Sequence, residues 1–213
     1  MVRMKFLAIG AAVMAAVIAL GSADVAAFGQ DHARPDILIA DFEGETYGDW
    51  RTTGTAFGPG PARGTLPNQI AVSGYLGRGL VNSYYGGDGS VGTLVSPPFT
   101  IQRKWINFLI GGGMHHGKTC MNLIVGGKAV RTATGPNDRP GGSERLDWAS
   151  WDVANLEGQS AHIEIIDKET GGWGHINVDH IVMSDKKMAE QIRTDVLLDE
   201  TYRPQFHFTP LKN

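Results

Sequence analysis

Cysteine is nearly missing. Cys120 stands alone in 213 residues, which excludes an internal disulfide, and its place in the strand-like run Thr119 to Val125 predicts a buried, inert thiol. Clustered positive charge is missing too: 19 Lys and Arg are scattered against 22 Asp and Glu, for a net charge of −3. No basic stripe exists to neutralise a phosphate backbone, which argues against nucleic acid as a partner. The longest apolar run, Leu7 to Leu20, is shorter than the roughly 20 residues of a bilayer span, so no stable membrane insertion is expected. Between Ile37 and Asp185 no segment sustains a helical period.

Glycine, by contrast, is abundant at 29 residues, and it has no collagen period. Tight turns between short strands are the consequence. Arg3 and Lys5, the run Leu7 to Leu20 and the small-residue stretch Gly21 to Ala27 read as a secretory signal over residues 1–27, cut before Phe28; the alternative is a retained N-terminal anchor. A secreted, periplasmic or extracellular location follows from the first reading. Residues 28–184 then form one all-β domain, because short apolar or alternating runs are broken by Gly, Pro, Asn or Asp about every eight to twelve residues. The expected strands are Ile37 to Glu43, Gln69 to Val72, Gly79 to Ser83, Gly92 to Val95, Phe99 to Ile101, Trp105 to Gly111, Cys120 to Val125, Lys128 to Ala133, Leu146 to Asp152, Ala161 to Asp167 and His175 to Met183. Gly126-Gly127 between two of them predicts a two-residue type I′ hairpin. The predicted class is a jelly-roll-like β-sandwich. After it, Met188, Ile192 and Val196 recur every four residues, which predicts a short helical connector over 185–198, and 199–213 alternates aromatic and polar residues as an extended strand would.

Tyr202-Arg-Pro-Gln-Phe-His-Phe-Thr-Pro-Leu-Lys-Asn213 resembles the start of the five-bladed propeller in family 32 glycoside hydrolases of levanase, invertase and inulinase type. Asp41-Phe42-Glu43, Gly54 to Gly58, Asn82-Ser83-Tyr84, Ser96 to Phe99, Phe108 to Gly113 and Gly171 to Asp179 resemble the sandwich module that precedes that propeller in some bacterial members. In that family the next motif is W-M-N-D-P-N-G, which holds the nucleophile, while the acid/base residue lies further along. The resemblance therefore implies a module without catalytic residues of its own, not an enzyme as it stands, that holds a fructan- or sucrose-acting hydrolase near its substrate or braces the downstream catalytic propeller domain. A truncated piece of the hydrolase is one form of this reading. An independent secreted sugar-binding or structural sandwich protein is the alternative.

Carbohydrate binding needs an aromatic face and planar donors and acceptors for hydroxyl groups, and Trp50, Asn82, Tyr84, Asp88, Arg131, Trp173 and His175 are of those types. The stretches from Tyr84 to Asp88 and from Gly171 to His175 are glycine-bracketed, which suits loops that present large side chains. Trp50, Trp105, Trp148 and Trp151 could equally fill a core, and Trp173 could cover an edge. Carbohydrate-binding jelly rolls often hold a structural calcium, and Asp41, Glu43 and Asp179 are the carboxylates available for it here, with backbone carbonyls completing the six to eight ligands calcium takes. His115-His116 has no third ligand at a suitable spacing, the glycine-rich stretch before it is followed by a strand rather than the helix of a phosphate loop, and no serine lies in a G-x-S-x-G elbow.

Overall fold

The computed structural model describes residues 34–189. The expected signal over 1–27, most of the connector helix and all of 199–213 lie outside the described residues. Within them the chain runs β1 (Ile37–Ala40), β2 (Arg51–Gly54), β3 (Val81–Asn82), β4 (Gly92–Val95), β5 (Phe99–Thr100), β6 (Trp105–Gly112), β7 (Thr119–Val125), β8 (Lys128–Ala133), β9 (Asp147–Asp152), a 3-10 turn (Ala154–Leu156), β10 (Ser160–Asp167) and β11 (Ile176–Ser184). Two antiparallel sheets result. One has the order β1-β11-β6-β9 with β3 also on β11, and the other β2-β4-β10-β7-β8 with β5 also on β10. The chain is thus a β-sandwich, as its punctuated strand pattern predicts.

Alternation builds the main core. On β10, Ala161, Ile163 and Ile165 enter the core while His162, Glu164 and Ile166 are half-buried on the other face. Ile106, Phe108 and Ile110 of β6 and Ile176 and Val178 of β11 meet them from the opposite sheet. Each such fully buried side chain contributes about 1.5–3 kcal/mol relative to exposure. The first sheet is buried on its other face as well. Leu109 of that face packs with Ala62, Val72, Leu80 and Leu146 in a second cluster, so the segments between β2 and β3 and between β8 and β9 cover it. This is why β6 and β11 are buried at nearly every residue instead of at alternate ones. A bulge between Asp179 and Val182, with His180 at a φ of 46°, restores the inward direction at Ile181.

Gly126 and Gly127 have φ values of 56° and 75°, as the type I′ turn requires, and Cys120 is a buried free thiol. Two differences from expectation have simple causes. Gln69 to Val72 is not a strand; Ile70 is exposed and Val72 instead joins the second cluster. Conversely, β2 is exposed at all four residues and carries no apolar alternation, so only its pairing with β4, including a 2.6 Å Thr53–Thr93 hydroxyl contact, reveals it.

Candidate functional site

A cleft of about 480 Å³ opens at one end of the first sheet, bounded by the 68–70, 84–88, 138–144 and 172–175 segments. His175 lies at its floor, with only 2% of its surface exposed. Its Nδ1 is 2.6 Å from Asp88 Oδ1, and its Nε2 is 2.8 and 3.0 Å from the two carboxylate oxygens of Glu144. Neutral imidazole has one N–H, so a carboxylate at each nitrogen favours the doubly protonated cation. Burial alone would lower the His175 pKa, but the hydrogen bonds and charges of Glu144 and Asp88 outweigh it and raise the value above the ordinary one. Glu144 is itself buried and also accepts a 2.8 Å bond from Asn177 Nδ2.

Aromatic residues form the walls. Tyr84 meets His175 edge-on at 4.9 Å between centroids and its hydroxyl donates to the Asn68 carbonyl. Trp173 lies 5.5 Å from His175 at a shallow 32° tilt, and its Nε1 donates to the Arg139 carbonyl at 2.9 Å. A φ of 59° at Trp173 is a costly conformation for a bulky residue, and it is held by the surrounding contacts. Gly113 lies directly behind: a Cβ there would strike the Trp173 carbonyl. Asn137 fixes the facing loop, since its Nδ2 donates to the Gly112 and Ser143 carbonyls at 2.8 Å each while its Oδ1 accepts from Ser143 N–H at 3.1 Å.

The structure therefore brings together Tyr84, Asp88, Trp173 and His175 of the expected set. Asn82 is buried beneath them, where it exchanges hydrogen bonds with Gln69 and receives the Tyr84 N–H, so it supports the site without facing the cleft. Trp50 and Arg131 are not part of it. Trp50 packs on the main core, 5.4 Å edge-on from Phe42, and Arg131 on β8 donates to the Asp152 carbonyl and Asn155 Oδ1. Sequence reasoning missed Glu144, Asn137 and Arg139. Their only signal was the Gly- and Pro-rich run from Gly135 to Gly142, a loop long enough to cover a face.

Asp41, Glu43 and Asp179 share one neighbourhood. Burial pushes the Asp179 carboxyl up to about 7, with the charges of Glu43 and Asp41 adding to the rise. Their oxygens serve the backbone: Asp179 accepts the Leu76 and His180 N–H groups at 2.7 Å each, Glu43 accepts those of Arg78 and Gly79 at 2.8 Å each, and Asp41 accepts that of Glu43 at 3.2 Å. Among the described residues, no group of three or more His, Cys, Asp or Glu side chains is arranged to hold a metal ion.

No protein-family model matches the chain. Over 159 residues it is 46% identical to the protein named "Putative glycosyl hydrolase ecdE" from Aspergillus rugulosus, an alignment that takes in 73% of this chain and 22% of that protein. The chain thus spans about a fifth of the relative's length. Among solved structures it is similar to a cyclase from Fischerella sp. TAU (15% identity, TM-score 0.43, 70% of this chain and 97% of the other). It is also similar to the K3 adhesin domain of Lys-gingipain from Porphyromonas gingivalis (15%, TM-score 0.45, 70% and 99%) and a family 35 carbohydrate-binding module from Clostridium thermocellum (13%, TM-score 0.37, 70% and 97%). Likeness at that level carries no functional information.

These findings correct the family 32 assignment. The relative is named a glycosyl hydrolase without that family, no family model supports it, and the levanase, invertase and fructan expectations fall with it. The expectation that the chain is not an enzyme is corrected as well. It rested on motifs that only family 32 membership would require, and the relative carries a hydrolase's name. What stands is a relationship to a protein named as a glycosyl hydrolase.

Proposed function

We propose that the cleft around Trp173 and His175 binds a saccharide and that the chain serves a protein of glycosyl hydrolase type. The observation that carries the reading is the combination of an aromatic wall with a fixed, charged floor. Trp173 and Tyr84 offer faces for the C–H surface of a sugar ring, and Asp88, one third exposed, offers acceptor lone pairs to its hydroxyl groups. The Asn137 staple and the Asp88–His175–Glu144 line hold these groups in place before any ligand arrives, which reduces the ordering cost of binding.

Calorimetric titration of the full chain with a panel of neutral mono- and oligosaccharides tests this. Saturable heat with at least one sugar, weakened tenfold or more by Trp173→Ala and little changed by Arg131→Ala, is the expected result; no heat with any member of the panel overturns the reading. A second reading is favoured by His175 itself. A cationic imidazole beside Asp88, the most exposed of the three charged groups, can pass a proton through it to a bound glycosidic oxygen; the C–O bond then breaks, water adds to the anomeric carbon and its proton returns to the Asp88–His175 pair. Release of reducing ends from a panel oligosaccharide, abolished by Asp88→Asn, would support it, and binding without release would sink it.

A further inference from the structure

The charges around the cleft do not cancel. Asp88, Asp138 and Glu144 set three carboxylates against two cations, Arg139 and His175. Arg139 and Asp138 pair with each other at 3.3 Å on the open rim, with side chains 76% and 51% exposed. The surplus negative charge therefore belongs to the inner row. Glu144 stands at the back with 2% of its side chain exposed, His175 in the middle with 3% and Asp88 at the front with 33%. In a row of negative, positive and negative charge the outer carboxylate is the charge nearest to a ligand, and the cation behind it is shared with the second carboxylate, so the end that faces the cleft is negative.

The hydrogen-bonding groups lean the same way. Trp173 Nε1 donates to the Arg139 carbonyl, the Tyr84 hydroxyl donates to the Asn68 carbonyl, and both ring nitrogens of His175 are taken by carboxylates. The donors of the walls and floor are thus spent inside the protein. An acceptor is left over: Asp88 uses Oδ1 for His175, and its Oδ2 is bonded to no described residue. Tyr84 and Trp173 stand beside this same row, with ring centroids 4.9 and 5.5 Å from that of His175, and the faces of such rings attract cations. A ligand that fits brings donors and positive charge.

We infer that the saccharide taken by this cleft is an amino sugar, with its ammonium group on Asp88 Oδ2 and its ring against Trp173 and Tyr84. The inference rests on the saccharide reading above and narrows it to one class. A sugar ammonium supplies three N–H donors to a site that has acceptors to offer, and its charge meets the surplus of the inner row. A uronic acid would meet the reverse: an unshared carboxylate and no free donor except the rim guanidinium of Arg139.

The test is calorimetric titration of the full chain with tetrasaccharides of β-1,4-linked glucosamine, N-acetylglucosamine and glucose and with tetragalacturonate, at about pH 6, where a sugar amine keeps its proton. The glucosamine tetramer should bind at least tenfold tighter than either neutral tetramer, and the advantage should shrink severalfold as salt rises from about 50 to 500 mM. Asp88→Asn should bring the glucosamine and neutral tetramers to within about twofold of one another. Neutral tetramers, or other neutral sugars, that bind as tightly as the glucosamine form overturn this inference and leave the saccharide reading standing. Tetragalacturonate as the tightest ligand also overturns it, by making Arg139 the group that reads the sugar. So does an amino-sugar preference that survives in Asp88→Asn. No heat with any sugar overturns both. Should Asp88→Asn fail to fold, the salt series decides, and a glucosamine advantage that salt leaves unchanged overturns the inference.

Discussion

Replacing Glu144 by Gln changes one atom and tests the centre of the site. Both carboxylate oxygens of Glu144 face His175 Nε2, at 2.8 and 3.0 Å, and the outer one also accepts from Asn177 at 2.8 Å. Gln keeps one acceptor, turns the other atom into a donor aimed at groups that already donate, and removes the charge that stabilises the imidazolium. Hydrogen bonds to charged groups are worth about 1.5–3 kcal/mol, and breaking a buried ion pair costs about 3–5 kcal/mol. With one acceptor retained, a loss of about 2–3 kcal/mol is expected, or about 4–12 °C in midpoint for a domain of this size. Asp88→Asn is the control. Its carboxylate is one third exposed, so water screens it and the loss should stay under about 1 kcal/mol. Urea unfolding of both variants, with His175→Gln closing a double-mutant cycle, gives the ranking and the coupling energy. If Glu144→Gln proves no less stable than Asp88→Asn, or shows no coupling to His175, the buried ion pair is not what organises this end of the sandwich.

Asn137→Ala should cost about 2–3 kcal/mol by chemical denaturation, since it removes a buried side chain that makes three hydrogen bonds, and it should weaken sugar binding by freeing the 138–143 loop. Gly113→Ala should lower sugar affinity in the same titration more than it lowers stability, because its methyl group pushes against the Trp173 backbone. Asp185, held down to about 2 chiefly by the Arg34 hydrogen bonds, contributes stability that is present above the ordinary carboxylate pKa and lost as pH falls from about 4 toward 2. Asp185→Asn should therefore lower the unfolding midpoint at pH 7 and by much less near pH 2, where most of the contribution is gone; an equal difference at both values would refute the assignment.

The fold was legible because one solvent-facing sheet writes a period of two into the sequence, as in β10, and because glycine pairs mark its turns. It was legible in spite of β2 and the 69–72 run, where the two signals part. A strand made of Arg51, Thr52, Thr53 and Gly54 carries no burial to report, and Ile70 and Val72 carry apolar character for a loop that covers a sheet rather than joins one. Periodicity reports which face is buried, not what buries it, so the covering layer over the first sheet could only be seen in three dimensions.

The site divides along the same line. Tyr84, Asp88, Trp173 and His175 could be read from sequence because each sits in a short glycine-bracketed segment, where local backbone freedom marks a loop that presents side chains. Glu144 could not. It lies 31 residues before His175 and next to a residue as ordinary in type as Arg145, and nothing local marks it as buried. Its role exists only because the covering loop folds back over β11 and sets a carboxylate against a ring nitrogen. Trp50 and Arg131 show the converse: residues of the same types that the fold places away from the cleft. Which side chains meet at the cleft depends on which loops the covering layer brings to one end, and residue type alone cannot supply that. If loop placement rather than composition determines the site, an aromatic residue placed at Arg131 should create no binding, whereas Asn137→Ala should reduce it with Tyr84, Asp88, Trp173 and His175 all still present.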